Sequence, residues 1–382
     1  MKSSPIPEKQ FSLKDILFSL EKVTYLASLL KKSYPKLRKK KFIAEVIEKF
    51  PELELKERIT HIARTIKKYL PQKYPRALEI VVNALPSELD PKKTDNDFGE
   101  FIIAPFAEFV AEFGCDKNSY FLSIDALFEI TKRFSVEKAI RSFINSFPEE
   151  TLKAFLKLTA SKNYHQRRLA SEGSRMILPW APKISWQPQQ ILTILDKLYY
   201  DKTRYVTRSV ANSLNDISKV DAQLTIKTLK RWQKTKKQNP KEMNFIVRHA
   251  LRTLLKRGNK DALRMIGLSS AKHVRIKNLK YEHEILMGEN LEFSFELKTK
   301  NKKLGNLRIE YAIYYLRSNG KCNPKIFKLK ESNFDETKIL LLKRHSFRII
   351  STRKYYEGKH YLAIIINGEE VKKQEFYLSL SK

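Results

Sequence analysis

The chain has 382 residues, and its 75 lysines and arginines outnumber 42 aspartates and glutamates, which gives a formal net charge of +33. Because 42% of the residues are hydrophobic, it is not a disordered polycation and can form two or three domains with cores of their own. No apolar run is long enough to cross a bilayer, and Cys115 and Cys322 are too few for a disulfide framework or a structural zinc site.

The excess of positive charge favours a polyanionic partner, most simply nucleic acid, because binding releases the counterions of phosphate groups. A lysine-rich genome composition is the alternative, and it would explain many lysines but not the shortage of carboxylates. Residues 1–5 begin no apolar signal segment, so we expect a cytoplasmic protein without a membrane partner.

Up to about residue 270, apolar residues recur at spacings of three and four, which predicts a helical domain over residues 1–268. The stretches that carry this pattern include Leu13, Ile16, Leu17 and Leu20, and further on Phe101, Ile102, Phe106 and Phe109. Cys115 has no histidine near it in sequence and is expected to be a buried thiol.

An internal repeat occupies the second half of this helical region. Arg168, Arg208 and Arg248 lie 40 residues apart, each at the opening of an expected amphipathic helix. A period near 40 fits HEAT-like helix pairs, which stack into a curved solenoid with a concave face. The predicted buried stripe of the second repeat consists of Val206, Val210, Leu214 and Ile217.

Polar residues occupy matching positions on these helices, one and two turns after each arginine. They are Glu172 in the first repeat, Asn212 and Asp216 in the second, and Arg252 and Lys256 in the third. The resulting face is mostly cationic, as DNA binding requires. We therefore expect Arg168, Arg208, Arg248, Arg252 and Lys256 to contact phosphate groups.

Glu172 and Asp216 interrupt this cationic face, where phosphate groups would repel them. One interpretation is that each carboxylate only pairs with a neighbouring arginine, such as Arg168 with Glu172 one turn apart. The other is that they await a positive charge on the ligand. An alkylated nucleobase is such a cation, and its sugar becomes oxocarbenium-like as the glycosidic bond breaks.

Trp180 follows Pro179, where we expect the helix of the first repeat to end. A tryptophan there is either part of a core or a ring face for a cation or a displaced base. Trp186 and Trp232 lack such surroundings and are expected to be structural.

After residue 270 the pattern changes to alternation, which predicts a second domain, a β-sandwich over residues 269–382. The alternating residues are Leu291, Phe293, Phe295 and Leu297, and then Leu307, Ile309, Tyr311, Ile313 and Tyr315. Residues 361–366 form an apolar strand that ends at Asn367-Gly368, a pair typical of a hairpin turn. This domain is also basic and either clamps DNA or is a solvated surface; its basic residues include Lys298, Lys300, Lys302, Lys303, Lys343, Arg344, Arg348, Arg353 and Lys354.

Motifs for metals and nucleotides are missing from the sequence. The seven histidines show no metal-ligand spacing, and neither HExxH nor paired CxxC occurs. Ten glycines include no phosphate-binding loop. We therefore expect no metal and no other cofactor.

Four segments together resemble the AlkC-type DNA alkylation repair glycosylases, from about residue 95 to 264. They are residues 131–141 (TKRFSVEKAIR), 167–175 (RRLASEGSR) with 178–181 (LPWA), 208–217 (RSVANSLNDI) and 246–254 (IVRHALRTL). The order and spacing of these segments make the resemblance specific. Some members of that family carry an immunoglobulin-like C-terminal domain, which agrees with the predicted sandwich.

The resemblance implies a monofunctional DNA glycosylase on HEAT-like repeats that acts on 3-methyladenine and 3-methylcytosine. It implies a catalytic carboxylate at Glu172, a second at Asp216, a further acidic residue at Glu137 and a site aromatic at Trp180. The expected partner is alkylated double-stranded DNA, bound by a monomer in the bacterial cytosol or nucleoid. Because an alkylated base is already a good leaving group, we expect hydrolysis to an abasic site without strand cleavage.

Two other functions are consistent with the same residues. A non-catalytic HEAT-repeat protein could bind bent or damaged DNA, and it would share the basic face but release no base. A scaffold for an acidic protein would bind DNA weakly. Glu172→Gln or Asp216→Asn is expected to lower base release strongly while DNA binding stays equal or tightens.

Overall fold

The computed structural model describes residues 12–90, 92–93, 97–350 and 354–380. The signal-segment prediction for residues 1–5 and the basic residue Arg353 lie outside this part of the chain. Contacts divide the chain into two compact units. The helical unit comprises the chain up to Val220 together with Lys230–His249, and the sandwich unit comprises Asp221–Leu229 and the chain from Ala250 onward. The domain boundary at 268/269 stays a prediction beside this division.

Helices follow one another from the first described residues to Met265. In chain order they are α1 (Leu13–Leu17), α2 (Leu20–Ser33), α3 (Lys39–Glu48), α4 (Leu55–Tyr69), α5 (Tyr74–Asn83), α6 (Ala104–Phe113), α7 (Tyr120–Ile130), α8 (Ile140–Ser146), α9 (Pro148–Leu158), α10 (Tyr164–Gly173), α11 (Pro188–Leu198), α12 (Arg204–Ser218), α13 (Ala222–Thr235), α14 (Pro240–Ala250), α15 (Arg252–Lys256) and α16 (Lys260–Met265). Short 3-10 turns precede α4 at Phe50–Glu52 and α6 at Phe101–Ile103. None of the helices in the described ranges combines the length and apolarity that a bilayer-spanning helix needs.

The first apolar stretch is helical as predicted, but most of it does not belong to the core. Leu13, Ile16 and Leu20 are 62%, 57% and 59% exposed. The helix breaks at Phe18, and Ser19 caps a new one by accepting a hydrogen bond from the backbone of Lys22. The core-facing stripe is the next one along α2, formed by Val23, Leu26, Ala27 and Leu30.

The repeat arginines lie on alternate helices: Arg168 on α10, Arg208 on α12 and Arg248 on α14. None opens its helix as predicted, since each lies at least four residues inside. The predicted core of α12 is confirmed, because Val206, Val210, Leu214 and Ile217 are fully buried.

The third repeat does not carry its predicted polar stripe on one helix. α14 ends at Ala250, and α15 begins at Arg252 after a turn at Leu251. Arg252 and Lys256 therefore belong to a separate short helix. Their spacing from Arg248 does not predict which face of a helix they share with it.

Eight strands form the second architecture. They are β1 (Val274–Tyr281), β2 (Glu284–Leu286), β3 (Asn290–Thr299), β4 (Gly305–Leu316), β5 (Cys322–Phe334), β6 (Lys338–Ser346), β7 (Gly358–Ile366) and β8 (Glu369–Ser379). One sheet has the order β1-β3-β6 and the other β2-β8-β7-β4-β5. All neighbours are antiparallel except β2 and β8.

The two sheets share one core, so the predicted sandwich is confirmed. The alternating residues of β3 are at most 3% exposed and pack with those of β4 and β7. Phe293 of one sheet meets Tyr311 of the other with ring centroids 5.1 Å apart. Asn367 and Gly368 link β7 to β8 with φ angles of 47° and 78°, the left-handed values that a two-residue hairpin turn of this kind needs.

Candidate active site

Two closely packed helices, α10 and α12, supply most of the candidate site. Small residues let them approach, and the hydroxyl oxygens of Ser171 and Ser209 lie 2.7 Å apart. α10 ends at Gly173, six residues before the predicted end at Pro179. A Cβ on Gly173 would lie 2.9 Å from a methyl carbon of Ile140, so the close approach to α8 requires glycine.

Three acidic residues predicted for the site are brought into one buried network. Glu137, Glu172 and Asp216 are 9%, 3% and 0% exposed. Arg168 joins the first two, since its guanidinium nitrogens lie 3.3 Å from Glu137 and 3.8 Å from Glu172. Arg175 lies 2.7 Å from Glu172 and 2.8 Å from Asp216.

Hydroxyl and ammonium groups complete the network. Ser209 of α12 donates a hydrogen bond of 2.7 Å to Glu172, and Lys219 lies 2.8 Å from Asp216. Ser135 donates to Glu137 and accepts from Arg168. Each carboxylate is thus held by at least two donors, as buried charges require.

The electrostatic balance keeps Glu172 ionised. Burial tends to raise its pKa, but the positive charges of Arg168 and Arg175 and the bond from Ser209 outweigh burial and lower it. Burial tends to lower the pKa of Arg168 and Arg175, but the neighbouring carboxylates outweigh burial and raise the pKa of both. Glu172, Arg168 and Arg175 are therefore charged at neutral pH.

Arg141 of α8 is a further buried arginine, which ends the family segment 131–141 but was not singled out from the sequence. Its side chain is 0% exposed, and burial lowers its pKa to about 10. It donates to the backbone carbonyls of Gly173, Arg175 and Pro182. Arg141 therefore fixes both ends of the segment that carries Trp180.

Trp180 and Glu137 meet at one cavity. The cavity has a volume of about 460 Å³, and Trp180, Phe98, Phe101 and Phe134 contribute ring surfaces to its wall. Trp180 is 46% exposed, whereas Trp186 and Trp232 are each 1% exposed, in agreement with their expected structural roles. The structure thus joins an acidic residue of the network to an exposed indole.

The predicted phosphate-contacting residues fall into two groups. Arg168 is buried, 5% exposed, and its guanidinium lies 5.5 Å from the Phe98 ring centroid and 4.7 Å from that of Tyr205. The surface position that its spacing predicted is therefore wrong. The others are nearer the solvent: Arg208, Arg248 and Arg252 are half-buried and Lys256 is exposed. Phosphate contact by these four stays a prediction.

Sequence reasoning missed Arg175, Ser135 and Ser209. All three lie inside the segments that carry the family resemblance, and Arg175 follows Glu172 by three residues, which was the available signal. Cys115 is half-buried rather than buried, and burial raises the pKa of its thiol. Among the described residues, no group of three or more histidines, cysteines and carboxylates could hold a metal ion.

Two family models match the chain over most of these elements. The model for "DNA alkylation repair enzyme" matches residues 133–254, which contain the whole buried network. The model for "Uncharacterised protein YhaZ, C-terminal Ig-like domain" matches residues 275–380, which contain the sandwich.

Two relatives are similar to the chain over nearly all of its residues. "Uncharacterized protein YhaZ" of Bacillus subtilis (strain 168) is 36% identical over 363 residues, which are 94% of this chain and 96% of the relative. The solved structure of Pseudomonas fluorescens alkylpurine DNA glycosylase AlkC, bound to DNA containing an abasic site analog, is 30% identical with a TM-score of 0.85. That similarity covers 97% of this chain and 100% of the AlkC chain.

Proposed function

This chain belongs to the AlkC-type family of DNA alkylation repair proteins, and on that premise we propose that it is a DNA glycosylase. Its substrates are cationic N3-alkylated bases in double-stranded DNA, 3-methyladenine and 3-methylcytosine. The product is an abasic site, formed by hydrolysis without strand cleavage. The observation that carries the proposal is the buried network of carboxylates and arginines beside an exposed tryptophan, in a chain that is similar to a glycosylase over 97% of its length.

The carboxylates act on the charge that develops during bond cleavage. A cationic base leaves without being protonated, and positive charge then moves to the sugar. Glu137 lines the cavity and can approach a ligand there. Glu172, which shares Arg168 with Glu137, adds a second negative charge. Both are held ready before the substrate arrives, so little reorganisation is needed during the reaction.

Asp216 acts through Arg175 in this mechanism. Its carboxylate is 0% exposed and bonds to Arg175 and Lys219, so it holds the guanidinium that in turn orients Glu172. A water molecule, oriented by Glu137 or Glu172, attacks C1′ of the sugar as the base departs. Trp180 offers its ring face to the cationic base or to a neighbouring base.

Binding rests on the net charge of +33 and needs no cofactor. Arg208, Arg248, Arg252 and Lys256 are the phosphate contacts of the proposal, and the protein acts as a monomer in the bacterial cytosol or nucleoid. A protein that only binds bent or damaged DNA would share this charge. Release of the base is what separates the two functions.

The decisive experiment is chromatographic identification of bases released from methylated duplex DNA. Wild-type protein is expected to release 3-methyladenine and 3-methylcytosine and to leave intact strands with abasic sites. Glu172→Gln removes one charge at nearly constant shape, so release should fall by about 10²–10³ while DNA affinity stays equal or rises. Wild-type protein that binds methylated DNA and releases no base would overturn the glycosylase proposal.

A further inference from the structure

Four strands lie at the ends of the two sheets of the sandwich unit, and three of them have features that hinder pairing with another chain. Among the described strands, β1 and β6 end one sheet, and β2 and β5 end the other. β1 has an irregular register between Lys277 and Lys280, β2 has only three residues, and β5 contains Pro324 and an irregular register of its own. Bulges, short strands and prolines are means by which proteins prevent the pairing of sheet edges.

The fourth end strand, β6, has none of these features. Its nine residues, Lys338–Ser346, pair with β3 in an unbroken antiparallel register, and β3 is the one described strand that pairs with it. Leu340 and Leu342 point away from the core and are 59% and 72% exposed, whereas Leu341 between them is 8% exposed. We call the outer side of β6, with Leu340 and Leu342, the β6 edge. A long, regular edge strand with exposed leucines is a surface on which a further strand can pair.

The β6 edge is positively charged. β6 carries Lys338, Lys343 and Arg344 and no carboxylate. Glu296 of β3 pairs with Lys338 at 2.8 Å, and Glu292 of β3 pairs with Arg344 at 2.6 Å. Lys343 adds a cation beyond these two pairs. The β6 edge therefore attracts a segment that carries carboxylates and repels one that carries ammonium groups.

Three kinds of occupant differ in how well they fit this surface. A second copy of the chain would place the cations of β6 against the same cations, in two molecules that each have a net charge of +33. Duplex DNA supplies phosphates for the cations but has no strand backbone to pair with β6 and no side chains to cover the leucines. An extended acidic segment meets all three requirements, because its backbone, apolar side chains and carboxylates each find a counterpart.

We propose that the β6 edge binds an extended acidic segment of a partner protein, which adds a strand to the β1-β3-β6 sheet. Apolar side chains at alternate positions of the segment pack beside Leu340 and Leu342, and the carboxylates between them lie on the side of Lys343. The β6 edge shares no residue with the carboxylate network, so the proposal does not depend on the glycosylase function. The docked segment recruits a second protein to the sandwich unit.

Two peptides and two variants of the full-length protein test the proposal. The first peptide is fluorescein-labelled, has the length of β6 and alternates glutamate with valine; the second has lysine in place of each glutamate. The double variant Leu340→Thr/Leu342→Thr removes the apolar contact and keeps residues that favour a strand. Val371→Thr is the matched control, because Val371 is 43% exposed on β8 of the other sheet.

Fluorescence anisotropy should show that wild-type protein binds the acidic peptide and not the lysine peptide. The double variant should bind the acidic peptide about tenfold more weakly, because two leucines are no longer covered, and Val371→Thr should match the wild type. Hydrogen exchange followed by mass spectrometry should slow over residues 338–346 when the acidic peptide is bound, since backbone N–H groups of β6 then have partners.

The proposal is overturned if the acidic peptide does not bind, or if it binds the wild type and the double variant equally, since binding would then depend on net charge alone. Binding without slower exchange in β6 would also overturn it. DNA affinity and base release of the double variant should equal those of the wild type. A loss of DNA affinity as large as the loss of peptide affinity would assign the β6 edge to DNA instead of a protein partner.

Discussion

Each unit of the molecule buries an arginine between two carboxylates. In the helical unit Arg168 lies between Glu137 and Glu172. In the sandwich unit the guanidinium of Arg308 lies 2.6 Å from Glu310 and 3.0 Å from Glu331. The chemical groups are the same, and both arginines are less than 10% exposed.

The surroundings of the two sets differ. Arg308 and Glu310 share β4, and Glu331 is the cross-strand partner of Arg308 on β5, so sheet register alone brings these three together. Glu137 and Glu172 come from separate elements, and their network continues through Arg175 and borders a cavity with an exposed tryptophan. A buried arginine–carboxylate set is thus not by itself a sign of function, but one that borders an open aromatic cavity is.

Replacing the central arginine of each set should change stability and base release more than any other substitution considered below. Arg168→Met leaves Glu137 and Glu172 without their shared cation, which should cost about 3–5 kcal/mol in the free energy of unfolding and eliminate measurable base release. Arg308→Met should also destabilise the protein, because buried Glu310 loses its arginine, although Glu331 keeps Lys328 at 3.0 Å. Urea titrations followed by circular dichroism measure the stability of each variant.

Base release per folded molecule then separates the two sets. Release by folded Arg308→Met should equal that of the wild type, because its network belongs to the sandwich sheet. Equal losses of release in both variants would mean that Arg168 is only structural.

Asp216→Asn tests whether Asp216 contributes less to base release than Glu172 does. The amide keeps the shape of Asp216 but weakens its hold on Arg175, so base release should fall roughly tenfold, less than in Glu172→Gln. Asp196→Asn is the matched control, because Asp196 also pairs with an arginine, Arg231, but at a helix surface. Single-turnover rates on methylated DNA measure both; a loss as large as that of Glu172→Gln would instead indicate direct contact of Asp216 with the substrate.

Periodicity predicted much of this architecture. The change from helical spacing to alternation, the buried stripe of α12 and the turn at Asn367-Gly368 follow from local rules of side-chain direction and backbone conformation. These rules act within one element, so they hold whatever packs against it.

Residue spacing alone did not reveal what packs against each face. Arg168 and Glu172 form a polar stripe on α10, and a polar stripe in sequence suggests solvent, yet both are buried because their charges pair within the interior. Arg141 was not singled out either, because its hydrogen-bond partners are backbone carbonyls that lie 32 to 41 residues away in the chain. Spacing did single out Glu172 and Asp216, whereas Glu137 was singled out only by the resemblance to the repair family.

DNA affinity should depend on salt through the half-buried arginines Arg208, Arg248 and Arg252 and not through Arg168. Arg208→Gln should reduce the slope of log affinity against log salt by about 0.9, because one phosphate contact is lost. Lys343→Gln makes the same charge change on the sandwich, whose basic residues either clamp DNA or form a solvated surface. Fluorescence anisotropy over a range of salt concentrations measures the slopes. An affinity that does not change with salt would contradict the electrostatic basis of binding.

The smallest expected effect concerns two buried histidines, one in each unit. His360 of the sandwich is 0% exposed, and both its ring nitrogens have backbone partners, at Tyr356 and Leu316. His165 of the helical unit is 4% exposed, and its Nε2 has no hydrogen-bond partner among the described residues. Burial, reinforced by the charge of Arg168 and opposed by Asp97, lowers the pKa of His165 from 6.5 to about 4.

Because its folded-state pKa is below the unfolded value, His165 takes up a proton more readily when the chain unfolds. Stability should therefore fall as the pH falls from about 6.5 towards 4, by on the order of 1–2 kcal/mol between pH 7 and 5. In urea titrations of the whole protein, His165→Gln should reduce the dependence of stability on pH. His283→Gln, at an exposed position, should leave that dependence unchanged. The interval from pH 7 to 5 stays above 4.5, the ordinary pKa below which the contribution of Glu172, with its lowered folded-state pKa, would begin to be lost. An unchanged slope in His165→Gln would show that the ring is already satisfied by solvent and that its missing partner carries no energetic cost.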